Sequence, residues 1–289
     1  MHFGSLIRRL LGNRIAKSDE EGARRDWAPP SAALAKSPGS VTGSRARHAE
    51  AVERKISAQA DHPRGFGYKI SWFAVRTEDA EAVVVALKLG DVQRANWESG
   101  IDLAYERSGN TGARYAVFVT PPIAGWVLAV GKGLPVFDQE GEDSECRSDF
   151  LTLFMNVAAG FAEVQFFGTY RVVGYDAWFR ARNGVIEREF SIADGQVCTN
   201  FGPQTAEERA LGFLDLGERS AEAATDYICD CMETYGDSDS DDGHKCPLMP
   251  SEENTMALAG AWSIDPTTLE ELDLPAGVGY LGYLPMPSS

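Results

Sequence analysis

From about residue 65 onward, apolar residues recur in short runs separated by polar and glycine-rich stretches. Runs rich in β-branched and aromatic residues, a pattern typical of strands, occupy 68–75, 115–120, 126–130 and 162–167. Segments with apolar residues at helical spacing lie at 78–90, 97–105 and 149–160. Thr77 is predicted to cap the first of these helices, and Ser148 or Asp149 the third.

Asn183-Gly184 predicts a β-hairpin. It lies between two strand-like runs, 176–182 and 185–191. A type I′ turn needs positive φ at both central residues, and Asn-Gly tolerates this well. We therefore expect a two-residue turn.

Such a turn fixes which residues of the hairpin face each other. It places Arg180 opposite Glu187 and Trp178 opposite Glu189. An Arg180–Glu187 pair stabilises this register by roughly 0.2–1 kcal/mol. An exposed Trp178 beside these two carboxylates would suit a partner-binding face.

The C-terminal third is predicted to be largely helical. Thr205 and Glu208 have the spacing of a capping box, which starts a helix at Ala206. Further helices are expected over 221–234, over 251–262 and from Asp265-Pro266 to Leu272. The glycine-rich tail that follows is expected to be extended or loose.

The order strand, helix, hairpin occurs twice, over about 68–130 and 148–191. This predicts an α+β domain over 65–289, with a mixed or antiparallel sheet, helices on one face and two related units. Residues 1–64 are predicted to be a basic amphipathic segment followed by a flexible linker rich in Pro, Ser, Gly and Ala. That segment could contact a membrane surface, the acidic domain or a partner.

Charge is unevenly distributed along the chain. The net charge is −16. Residues 1–64 carry 12 Lys+Arg and 7 Asp+Glu, which leaves 15 basic and 36 acidic residues, a net of −21, in 65–289. A field of that sign repels nucleic acid. It either favours a basic partner or serves only to keep the protein soluble. Neither a secretory signal nor a transmembrane-length apolar run of about 20 residues is recognised, which predicts a cytoplasmic protein.

Histidine, the usual proton shuttle near neutral pH, is scarce. None of the four histidines lies between Gly65 and Tyr235. A Ser-His-Asp or Cys-His catalytic site is therefore not expected, and no cofactor is predicted. An enzyme here would have to work with carboxylates.

One cluster has the residue types of a zinc site: Cys229, Cys231, His244 and Cys246. Thiolate and imidazole are the ligands that tetrahedral zinc prefers, but each pair here has one intervening residue instead of the usual two to four. We therefore favour a helix end with two thiols beside an acidic loop over a zinc site, and a disulfide between Cys246 and one of the earlier cysteines is a second alternative.

Four aspartates lie between the two halves of that cluster: Asp237, Asp239, Asp241 and Asp242. Their spacing is similar to that of a calcium loop, but the glycine comes one place late and Leu248 stands where the bidentate Glu is needed. We therefore expect a solvated acidic loop that forms part of a partner-facing patch.

The passage FAEVQFFGTYRVVGYDAWFRARNGVIEREFSIADG, with VFVTPPIAGWVLAVGKGLP before it and ALAGAWSIDPTTLEE after it, resembles a group of uncharacterised bacterial proteins. Some of these resemble immunity proteins encoded beside secreted antibacterial toxins. The resemblance implies a non-enzymatic protein that neutralises a basic toxin by direct binding. The alternatives are a zinc-stabilised structural or regulatory domain and an enzyme that uses carboxylates.

Overall fold

The computed structural model describes residues 56–106, 115–137, 145–236 and 247–285, with the backbone alone for 145–148 and 234–236. Two predictions lie outside these residues. They are the basic N-terminal segment up to residue 55, and the acidic loop with His244 and Cys246. Among the described helices, none is long and apolar enough to cross a membrane.

Within the described residues, nine strands form one sheet in the order β2-β9-β3-β4-β1-β5-β6-β7-β8. Every neighbouring pair is antiparallel. The strands are β1 Ser71–Arg76, β2 Gly90–Asn96, β3 Ala116–Val119, β4 Trp126–Val130, β5 Glu163–Tyr170, β6 Tyr175–Arg182, β7 Val185–Ala193, β8 Gln196–Phe201 and β9 Val278–Tyr283. The α+β class and the antiparallel sheet are thus confirmed.

The described helices lie between and after these strands. They are α1 Ala80–Ala86, α2 Trp97–Tyr105, α3 Glu145–Ala158, α4 Ala206–Leu211, α5 Ala221–Gly236 and α6 Glu252–Trp262, with 3-10 turns at Arg171–Val173 and Pro266–Glu271. The predicted capping box at the start of α4 is present.

The sheet buries both of its faces. In β1, Trp72 and Ala74 join a core with α2, α5 and α6, whereas Phe73 and Val75 join a second core with α1 and α3. The expectation of helices on one face is therefore wrong. Since β1 is apolar on both sides, each side needs a covering layer.

Two helix starts differ from the prediction. Asp79, not Thr77, caps α1, and its carboxylate accepts a hydrogen bond from the Ala82 amide. The helix α3 begins at Glu145, so Ser148 and Asp149 lie inside it. Both errors come from choosing the wrong cap within a cluster of residues that can all cap a helix.

Three strands were not predicted, because their sequences lack regular apolar alternation. They are the polar edge strand β2, the strand β8 and the glycine-containing strand β9. The tail, expected to be extended or loose, forms an extended strand that pairs with both β2 and β3. A Cβ at Gly279 would meet the carbonyl oxygen of Val119, so this glycine allows close strand packing.

Residues 56–64, assigned to the linker by composition, contact the sheet domain. The Asn96 amide donates to the carbonyl of Ser57 over 2.7 Å. The carboxylate of Asp61 accepts hydrogen bonds from the amides of Trp97, over 2.7 Å, and Glu98, over 3.0 Å. These contacts help to cap α2.

The predicted hairpin forms between β6 and β7, with φ of 50° at Asn183 and 75° at Gly184. Its register differs from the simple one, because a β-bulge lies between Arg180 and Ala181. Arg180 therefore lies opposite Arg188 instead of Glu187. A bulge adds one unpaired residue to a strand, and it shifts the rest of the hairpin by one position.

Candidate functional site

Six charged side chains at one end of the sheet form a chain of ion pairs, which we call the charge ladder. In order along the ladder they are Arg76, Glu163, Arg182, Glu187, Arg180 and Glu207, with N–O distances between successive members of 3.6, 3.3, 3.5, 3.3 and 3.4 Å. Three arginines and three glutamates make the ladder electrically neutral. The predicted Arg180–Glu187 ion pair is present, although the bulge places Arg180 opposite Arg188 in the strand pairing.

The hairpin residues predicted to bind a partner lie in or near this ladder. Trp178 is 2% exposed, so its predicted exposure is wrong. Its indole N–H donates to Glu208 over 2.9 Å, and Phe213 packs against the ring. Glu189 is buried and accepts a hydrogen bond from the Thr199 hydroxyl. Glu187 is partly exposed but ion-paired.

A buried ion pair lies beneath the start of α4. Arg188 Nε donates to Glu208 Oε1 over 3.0 Å, and the two side chains are 4% and 1% exposed. Glu208 also accepts a hydrogen bond from the Thr205 amide over 2.7 Å. The cavity beside the pair measures about 10 Å³, room for one water molecule. These contacts serve the fold and leave no space for a ligand.

The two cysteines of the proposed zinc cluster lie within α5. Residues two apart on a helix point about 200° apart, so the thiols of Cys229 and Cys231 leave the helix on opposite sides. Cys231 is buried and Cys229 partly exposed. The structure therefore does not bring these two thiols together, and zinc binding through His244 and Cys246 stays a prediction.

The outer side of α5 carries four carboxylates, which we call the acidic face: Glu222, Asp226, Asp230 and Glu233. Spacings of four, four and three residues place them on one side of the helix. All four are exposed. No Lys or Arg occurs in α5.

This arrangement works against the stability of the helix. Like charges at i,i+4 destabilise a helix, and carboxylates near its C-terminus oppose the helix dipole. Within the described part of the chain, no cation forms an ion pair with Glu222, Asp226 or Glu233. The helix dipole favours Glu222 in the first turn, but the fold does not explain why Asp226 and Glu233 lie on the same side.

The acidic face produces a strong local field. Partial burial, together with the negative charges of Asp226, Asp230 and Glu233, raises the pKa of the Cys229 thiol. Met232 is 59% exposed and lies about 100° around the helix from Glu233, outside the acidic face.

The inner side of α5 holds the helix firmly on the sheet. Ala224 and Ile228 are buried in the core. The Val197 amide of edge strand β8 donates to the Thr225 hydroxyl over 2.9 Å. The carboxylates are therefore presented on an anchored element.

The acidic face belongs to the most acidic part of the chain. Residues 215–242 contain ten Asp and Glu residues against one arginine, a net charge of −9. Sequence reasoning identified the aspartates at 237–242 but missed the face itself. The signal was present, because the carboxylates at 222, 226, 230 and 233 have helical spacing inside a predicted helix.

Comparison of this chain with protein-family models, with curated proteins and with solved structures finds no match. The resemblance to toxin-immunity proteins accordingly rests on the quoted sequence passages. The candidate site therefore has to be judged on its own geometry and charge.

Proposed function

We propose that this protein is a binding protein that docks a basic protein partner on the acidic face of α5. In its full form the proposal is a cytoplasmic immunity protein that covers a basic toxin. The observation that carries it is the clustering of four exposed carboxylates, without a compensating base in the helix, on a firmly held element.

Electrostatic complementarity supports this proposal. Opposed charge patches accelerate encounter and select against wrong partners. A basic partner would also relieve the like-charge repulsion within α5, since its cations would lie between the carboxylates. The repulsion present in the free protein would then become part of the binding energy.

The dimensions of the face fit a docking surface. A helix of 16 residues is about 24 Å long, and a stable interface needs roughly 800 Å² from each partner. The helix supplies the centre of such a surface, and the exposed Met232 lies at its margin.

The neutral charge ladder argues against the hairpin as the docking site. Its carboxylates already have arginine partners at 3.3–3.6 Å. A basic partner would have to displace those arginines before gaining any attraction. A partner that binds the acidic face would not have to displace an arginine of the described residues from Glu222, Asp226 or Glu233.

The test compares three full-length baits in quantitative pull-downs from cells that encode the protein. The baits are the wild type, the face variant D226N/D230N/E233Q and the control variant E78Q/E271Q/D273N. Both variants remove three exposed carboxylates, so they have the same net charge. We expect one basic protein to be captured stoichiometrically by wild type and control, and at least tenfold less by the face variant.

A growth assay then connects binding to function. The captured protein is expressed with each of the three forms. The proposal expects it to be toxic alone, and wild type and control to restore growth where the face variant does not. Equal capture by all three baits would contradict the docking site. A captured protein that is not toxic would contradict the immunity role.

A further inference from the structure

Two buried carboxyl groups lie near each other where β6 begins and α6 starts. Asp176 on β6 is 6% exposed, and Glu252 in the first turn of α6 is 8% exposed. The Thr255 hydroxyl donates to Asp176 Oδ1 over 3.2 Å. This acid pair lies outside both the acidic face and the charge ladder.

The acid pair is covered by the segment 66–70, which we call the strap. The Lys69 amide donates to Glu252 Oε1 over 3.3 Å and to the Thr169 hydroxyl over 3.1 Å. The Tyr105 hydroxyl donates to the carbonyl of Tyr68 and accepts from the Gly67 amide. The strap is therefore tied to the sheet, α2 and α6 through hydrogen bonds.

The backbone of the strap is strained at one position. Lys69 has φ of 56°, a left-handed conformation that is uncommon for a residue with a Cβ. Such strain persists only when surrounding contacts hold it. The bond from the Lys69 amide to Glu252 is one of those contacts, so the acid pair helps to keep the strap closed.

Charge around Asp176 comes from several elements. Glu252 and Glu253 belong to α6, Arg171 to the 3-10 turn before β6, and the Tyr105 hydroxyl to the end of α2. Arg171 Nε lies 3.9 Å from Glu252, but its side chain is 68% exposed, so solvent weakens its field. With one screened cation nearby, a negative charge on the buried Asp176 is costly beside the carboxylate of Glu252.

We propose that Asp176, buried close to Glu252, holds a proton and acts as a proton-operated latch. While Asp176 is protonated, the first turn of α6 and the strap stay fastened to the sheet. Loss of the proton places two negative charges side by side and releases both segments.

The direction of titration supports this latch. Burial, together with the charges of Glu252 and Glu253, raises the pKa of Asp176 to about 7 against the opposing hydrogen bond from Thr255. A carboxyl whose folded pKa lies above its unfolded pKa favours folding in its protonated form. The latch is therefore closed below neutral pH and loosens as pH rises through about 7.

Hydrogen exchange of the full-length protein tests the latch. Peptides covering 66–70 and 251–256 are followed at pH 5.5 and 8.5, with exchange times scaled for the intrinsic chemical rate. We expect both peptides to lose protection by more than tenfold at pH 8.5, while a peptide covering 116–130 keeps its protection. A wild type equally protected at both pH values would overturn the proposal.

Two variants separate the latch from a merely structural role. Asp176→Asn is permanently uncharged, so it should keep the low-pH protection at pH 8.5. Loss of protection at both pH values in this variant would show a structural role instead. Glu253→Gln removes an exposed negative charge that acts on Asp176, so this variant should lose protection at a lower pH than the wild type does.

A direct titration keeps the proposal testable if Asp176→Asn does not fold. The side-chain carboxyl carbon resonance of Asp176 is followed by NMR in the wild type across pH 4 to 9. A midpoint near neutrality agrees with the latch. A midpoint below pH 5 would overturn it.

Discussion

The charge ladder and the acidic face are both rich in carboxylates, yet they are built in opposite ways. In the ladder each glutamate contacts at least one arginine, and the six members sum to zero. On α5 four carboxylates follow one another along the helix with no basic residue between them. The ladder joins strands β1, β5, β6 and β7 to α4, whereas within the described residues no cation forms an ion pair with Glu222, Asp226 or Glu233 of the face.

This difference separates charges that serve the fold from charges available for binding. Paired charges beside a core orient the elements they connect, and they become costly when one partner is removed. Exposed like charges contribute nothing to a helix and slightly destabilise it. The acidic face is therefore a better candidate for function than the carboxylates of the hairpin.

The largest expected effect concerns the buried pair beside the ladder. Glu208→Gln leaves the guanidinium of Arg188 buried without its counter-charge, so it should lower the free energy of unfolding by about 3–5 kcal/mol. Urea denaturation measures this change. Glu207→Gln, one residue away but one-third exposed, is the control and should cost less than about 1 kcal/mol. Similar losses in both variants would remove the distinction between buried and exposed pairs.

A smaller effect of opposite sign is expected on α5. The face variant D226N/D230N/E233Q removes three like-charge contacts along the helix, each worth about 0.2–0.5 kcal/mol. It should raise the free energy of unfolding by about 0.6–1.5 kcal/mol at low salt. The control variant E78Q/E271Q/D273N should stay within about 0.5 kcal/mol of wild type. A face variant less stable than wild type would mean that the carboxylates support the fold.

The smallest expected effect is on the chemistry of one thiol. Since the negative charges of the face contribute to the raised pKa of Cys229, the face variant should shift the pH midpoint of its alkylation downward. Added NaCl should have the same effect in the wild type, because salt screens exposed charges. Peptide mass spectrometry of iodoacetamide adducts provides the measurement. An unchanged midpoint in both cases would assign the shift to burial alone.

Local sequence signals predicted much of the fold. The Asn183-Gly184 turn and the Thr205/Glu208 capping box each need only a few neighbouring residues, and both are present. The edge strand β2 and the strand β9 escaped prediction, since their pairing comes from distant parts of the chain. The burial of Trp178 was missed for the same reason: its covering residues, Glu208 and Phe213, lie about 30 positions later.

The candidate site was less predictable than the fold. The aspartates at 237–242 stand out by composition, but a run of acids does not show which carboxylates share a surface. The four carboxylates of α5 have helical spacing inside the predicted helix, but their exposure follows from the packing, because Ala224 and Ile228 are buried on the opposite side. The neutrality of the ladder could not be predicted, because it depends on the strand register and the bulge at Arg180 could not be read from the sequence.

Carboxyl footprinting tests the central claim most directly. The full-length protein is labelled with a carbodiimide and an amine, alone and with the captured basic partner, and modification of each carboxylate is quantified by mass spectrometry. We expect protection of Glu222, Asp226, Asp230 and Glu233 on binding, with Glu187 and Glu207 unchanged. Protection of the two ladder glutamates with full labelling of the α5 face would contradict the account.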